Sequence, residues 1–214
     1  MNDTGPANRS GQANLTPTTA GVSPGSTFAP ISLRPAVDVA VVQERLQQLG
    51  QTRSTSALAE RAELLRLLGR LDEALIVAEE TFRLTMFTGD RAESVAARIR
   101  RAHVLHDLGR YERAASEAAM ARDTAAIEEW AELEGAAAEL EGWSLYELAR
   151  YEEARAALRR AHDAFRAAGA SAERTGALQS AIEESMRALM RHPRTPESAP
   201  DTARASAART EHGR

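Results

Sequence analysis

The chain has 214 residues, a formal net charge of -4 and 43% hydrophobic residues, enough apolar material for a core. Aromatic residues make up only 4%, and cysteine and lysine are absent; this excludes disulfides, thiolate nucleophiles, sulfur-ligated zinc, Schiff-base chemistry and a phosphate-loop lysine. Arginines interleave with carboxylates without forming a basic stripe, and no apolar run approaches membrane-spanning length, so direct nucleic acid binding and a membrane are not expected and the expected location is cytoplasmic.

In chain order, residues 1–34 are rich in Gly, Pro, Ser, Thr and Asn and read as a disordered tail, because they bury too little to offset chain entropy. A helix is expected at 36–49. Helix pairs follow at 53–68 with 72–87, 91–108 with 112–127 and 130–148 with 152–168, where Ala, Leu, Glu and Arg dominate and apolar residues such as Leu65, Leu68, Leu71 and Leu75 recur at helical spacing. A last helix at 172–190 carries Leu178, Ile182, Met186 and Leu189 on one face. Residues 192–214, interrupted by Pro193, Pro196 and Pro200, read as a second disordered tail. The folded unit is therefore expected to be one repeat domain over 35–191, with repeats at 53–88, 91–128 and 130–169 and no sheet.

The three pairs are copies of one another. Leu68-Gly69-Arg70-Leu71-Asp72-Glu73-Ala74 aligns with Leu108-Gly109-Arg110-Tyr111-Glu112-Arg113-Ala114 and with Leu148-Ala149-Arg150-Tyr151-Glu152-Glu153-Ala154, a period of 40 residues, and the same register matches Ala62, Ala102 and Gly142. A fixed period in this range with helical composition indicates stacked helix pairs, each too thin to bury its own apolar face. The small residue mid-way along the first helix, the turn glycine before Leu or Tyr and the alanine in the second helix resemble the tetratricopeptide repeat, in its longer variant of kinesin light chain and bacterial signalling proteins. Gly89 and Gly169 stand where helix ends want a left-handed residue. The resemblance implies an all-α, right-handed α-solenoid of three hairpins with one flanking helix at each end, about eight helices in all. By phase, 36–49 is the second helix of a preceding repeat and 172–190 the first of a fourth.

The residues offer no catalytic set. His103 and His106 are three apart with Asp107 adjacent, but a zinc site needs more ligands than this. Acidic residues such as Glu128, Glu129, Glu132 and Glu134 read first as a solvated helix face, because carboxylates do acid or base work only in a cleft that perturbs them, and no nucleophile elbow or phosphate cradle is present. No enzyme activity, metal or cofactor is expected. In the family that the repeats resemble, the inner wall is built by the first helix of each pair, and that register selects Glu63, Arg66, Ile99, His103, His106, Glu139, Trp143 and Tyr146 as a partner-binding groove. Trp143 and Tyr146 share a helix face and are the aromatic anchors, unless Trp143 packs inward as core. The expected function is a protein-interaction module, an adaptor or scaffold that binds another protein or peptide. Alternatives are a regulatory or sensory part of a bacterial signalling or transcription-control system and a self-associating solenoid, hence a homo-oligomer.

Overall fold

The computed structural model describes residues 38–88 and 90–192. Most of both expected tails, the start of the first flanking helix and the expected helix end at Gly89 lie outside the described residues. Within them the chain forms eight helices and no strand: α1 (Val39–Leu49), α2 (Thr55–Leu67), α3 (Leu71–Thr88), α4 (Arg91–Asp107), α5 (Tyr111–Ile127), α6 (Ala131–Glu147), α7 (Tyr151–Ala167) and α8 (Ala172–Arg191). The fold is an all-α repeat solenoid.

Local chemistry sets the helix ends. Asp38, Ser54, Asp90 and Ser171 cap α1, α2, α4 and α8, each side chain accepting from backbone N–H groups of the first turn. The three turns inside the hairpins share a different device. Gly69, Gly109 and Ala149 adopt left-handed backbone with φ of 74°, 72° and 57°, and the N–H of the next residue, Arg70, Arg110 or Arg150, donates 2.9 Å back to the carbonyl of Leu65, Leu105 or Leu145. These bonds satisfy carbonyls that a helix end otherwise leaves open. The arginine then folds onto the helix it starts: Arg70 pairs with Glu73 and Arg150 with Glu153.

Close packing follows from small side chains. Ala74, Ala114 and Ala154, one turn into α3, α5 and α7, are fully buried. Along α6 a Cβ on Gly135 would stand 2.8 Å from the Phe165 ring and one on Gly142 2.6 Å from Leu158 Cγ, so bare backbone at both places admits a large side chain of α7. The main core runs from Val95 and Ile99 through Ala137, Ala138, Leu140 and Trp143 to Leu158, Phe165 and Leu178, uniting α4 to α8. A smaller cluster of Ala62, Leu65, Ala74, Ala78 and Val104 joins α2 and α3 to α4.

Each helix packs on the next in sequence, and α2 also touches α4 and α4 touches α6. No comparable contact joins α3 to α5 or α5 to α7. The first helices of the hairpins thus form a continuous layer, here the A layer, and the second helices, the B layer, stand apart over it. This spacing difference bends the stack toward the A layer.

Candidate interaction surface

The A layer is held by a row of polar ties one repeat apart. Arg66, Tyr146 and His106 occupy the same repeat position, and each reaches the next A helix. Arg66 uses Nε and Nη2 to hold both oxygens of Glu63 at 2.9 and 2.7 Å, and donates from Nη1 to Asp107 Oδ2 at 3.0 Å. The Arg66 and Asp107 side chains are only 5% and 6% exposed, so this is a buried, charge-assisted link between α2 and α4. His106 Nδ1 lies 3.0 Å from Ser144 Oγ on α6, while that hydroxyl donates to the Leu140 carbonyl at 2.8 Å. The serine proton being committed, the histidine donates through Nδ1–H and is the Nδ1 tautomer. Tyr146 continues the row with a long contact of 3.5 Å to Glu184 on α8.

Burial governs the charge states. It lowers His103 to about 4, with the neighbouring Arg66 charge adding to the effect, and it lowers His106 to about 4 against the opposing pull of Asp107. Burial also raises the Glu63 carboxyl, but the Arg66 hydrogen bond and charge outweigh it and hold the group below its ordinary range. Glu139 goes the other way: burial raises it more than Arg174 and Trp143 lower it.

The eight residues of the sequence-derived groove divide accordingly. Arg66, Ile99, His106, Glu139 and Trp143 are buried, and Glu63, His103 and Tyr146 are half-buried. Trp143, 3% exposed, lies in the main core and hydrogen-bonds Glu139, which also pairs with Arg174 on α8. The groove assignment of these five is corrected. Their common cause is lateral packing of the A helices: a side chain aimed at the neighbouring A helix is covered by it and cannot reach a partner.

Sequence reasoning missed Arg100. It sits one residue after Ile99 in α4, half-buried, and burial lowers its guanidinium despite Glu63 and Glu93. Among the described residues no carboxylate lies within ion-pair distance of it. The signal was present: the residues three and four away on its own helix are Ala96, Ala97, His103 and Val104, none of them acidic. His103, one turn on, keeps Nδ1 buried without a hydrogen-bond partner.

No family model and no curated protein matches the chain. One solved structure that it resembles is that of BtubC (BKLC) from P. vanneervenii, at 16% identity and a TM-score of 0.46, covering 75% of this chain and 76% of that one. The fold assignment rests on the helices themselves. Among the described residues no group of three or more His, Asp or Glu is arranged to hold a metal ion, and no helix is long and apolar enough to cross a membrane.

Two clefts remain. One of about 470 Å³ lies between α5 and α7 over α6, where Arg122 pairs with Glu141 on a floor of Ala115, Ala119 and Ala157. The other, of about 410 Å³, lies between α7 and α8. Apolar side chains are exposed at the far edge of the B layer, chiefly Phe87 and Ile127, which hold the same repeat position at 89% and 78% exposure.

Proposed function

We propose that this chain is a protein-interaction module, an adaptor or scaffold that takes a segment of another protein along the exposed margin of the A layer. The observation that carries the reading is a rigid wall with free donors. The lateral ties through Arg66 and His106 fix three A helices relative to one another, and beside them Arg100 presents a guanidinium whose lost solvation outweighs the pull of Glu63 and Glu93 and which has no counter-charge in ion-pair contact among the described residues. An acidic side chain of the bound segment would supply that counter-charge, with two-pronged geometry available to it. Glu63, His103 and Tyr146 form the half-buried rim on either side, and the buried members of the earlier groove set act as supports. Binding energy in such surfaces concentrates at a few residues, and arginine is prominent among them.

Affinity capture followed by mass spectrometry identifies the partner, and charge reversal then locates the surface. Arg100→Glu is expected to weaken binding of the captured protein at least tenfold by calorimetry, while Arg113→Glu, on the exposed face of α5 in the B layer, leaves it unchanged. Equal binding by both variants removes the A layer from consideration.

A further inference from the structure

By repeat phase α8 is a first helix, and among the described residues no second helix covers it. In that register Ile182 holds the place of Ala62, Ala102 and Gly142, and Gln179 that of Ala59, Ile99 and Glu139, all of them buried. On α8 Ile182 is only half-buried and Gln179 is exposed. Both line the cleft of about 410 Å³ against α7, with Met186 and Glu183 beside them and Arg155 and Arg159 across from them. We propose that this face takes a second copy of the same chain, in a two-fold dimer whose α8 helices run parallel and each lie in the other copy's α7–α8 cleft.

The shape of the face comes from helical spacing. Successive residues of a helix turn by about 100°, so Ile182, Met186 and Met190 step round α8 away from its buried line of Leu178, Ala181 and Ser185. Ile182 and Met186 are half-buried, and Met190 is 71% exposed. Glu183 stands beyond Met190 in the same sense of rotation. The apolar stripe is therefore bordered by α7 on its buried side and by Glu183 on the other.

Charge decides the occupant. Among the described residues Arg155 and Arg159 have no carboxylate within ion-pair distance and Glu183 has no cation; Arg155 approaches the Met186 sulfur at 3.9 Å, and Glu183 accepts from Gln179 at 3.2 Å. One face thus carries unpaired charge of both signs on two different helices. A two-fold axis applies such a patch to itself and so brings each group to its opposite. A foreign helix of a single sign would satisfy the arginines and cover Glu183 unpaired, or do the reverse.

The register fits as well. Arg155 meets Met186, and Tyr151 stacks on His192 at 6.0 Å, so α7 runs antiparallel to α8, with Arg155 level with residue 186 and Arg159, one turn on, level with Ile182. Glu183 falls between these two levels. In a parallel pair every residue of one α8 keeps its level in the other, so Glu183 of each copy arrives between Arg155 and Arg159 of the other while the two apolar stripes meet at the axis. An antiparallel pair centred on the same stripe would set the arginines of the two α7 helices against one another. None of Glu63, Arg100, His103 and Tyr146 takes part.

Sedimentation equilibrium of the full chain at tens of micromolar is expected to give twice the chain mass. Glu183→Arg in one protein, and Arg155→Glu with Arg159→Glu in another, are each expected to weaken the dimer at least tenfold. Mixing the two variant proteins is expected to restore it, because each then carries the charges that the other lacks, and loss without restoration overturns the proposal. A native chain that stays monomeric, or one that associates beyond two copies, also overturns it. The absence of cysteine provides a second readout. Met186→Cys is expected to close an intermolecular disulfide under mild oxidation at least ten times faster than Ser180→Cys, since parallel helices bring a residue near the axis within disulfide reach of its own counterpart, whereas Ser180 is exposed on the side of α8 away from the stripe. Equal rates overturn the proposal.

Discussion

Acidification is expected to loosen the A layer at α4 through His103 and His106. Both imidazoles are held at about 4 in the folded chain, against an ordinary 6.5. Between those values the unfolded chain takes up protons that the folded chain refuses, so stability is complete above pH 6.5, falls as the pH drops toward 4, and loses nothing more from these two groups below that. The depression of each histidine corresponds to about 3 kcal/mol, a large fraction of the stability of a typical domain. Glu63, held low beside Arg66, loses its contribution in the same direction at lower pH. Glu139, held high by burial, opposes the trend because the folded chain protonates it first. The assay is a series of urea unfolding curves from pH 7.5 to 4.5 for the native chain and for His103→Gln, whose Nδ1 partners nothing and whose removal costs no hydrogen bond. A loss of about 3 kcal/mol moves the midpoint on the order of 1–2 M. His103→Gln is expected to remove about half of the histidine-dependent slope. Parallel curves for the two proteins would show that burial of this imidazole does not control the acid response.

The hairpin turns allow a reciprocal exchange: Gly109→Ala is expected to destabilise by about 1 kcal/mol and Ala149→Gly to stabilise by a similar amount, since a Cβ at 109 meets nothing within 4 Å and only the left-handed backbone differs. Thermal midpoints moving in opposite directions by about 2–4 °C check this. Gly142→Ala should cost about 1–3 kcal/mol by forcing Leu158 off its seat, read by chemical denaturation, and a neutral result contradicts the close approach of α6 and α7. Arg66→Met leaves the buried Asp107 without its cation and is expected to cost about 3–5 kcal/mol. Arg70→Met breaks an exposed pair and is expected to cost under about 1 kcal/mol in the same measurement.

The eight helices were legible because what encodes them is local. A glycine followed by arginine, an acid two residues on and an alanine after that form the hairpin turn from neighbouring atoms, and the 40-residue period repeats it. Ala149 is legible for the same reason: the hydrogen bonds closing the turn hold it in the left-handed region that glycine takes elsewhere. The surface was less legible, because whether an A-helix side chain meets solvent depends on the distance to a helix about 40 residues away. Trp143 shows the point. Its type suits an anchor, but it is buried in the main core together with Leu140, Leu158 and Leu178. Arg66, His106 and Tyr146 have the chemistry of recognition and use it on the next helix. Arg100 went unnoticed beside Arg98 and Arg101, which both reach Glu117 on α5; only the separation of charges in space distinguishes it from them.

The unequal spacing of the two layers makes the molecule anisotropic as a mechanical object. Pulling apart the α3, α5 and α7 ridges breaks little, because they meet mainly through the helices beneath them, with an exposed Arg113 to Glu79 pair at 4.0 Å between α5 and α3, whereas any splay of α2 from α4 must break the buried Arg66 to Asp107 link. The slab can therefore roll and unroll about lines parallel to its helices, like a slatted blind whose cords run along one side, and its resistance to bending is set chiefly by the corded side.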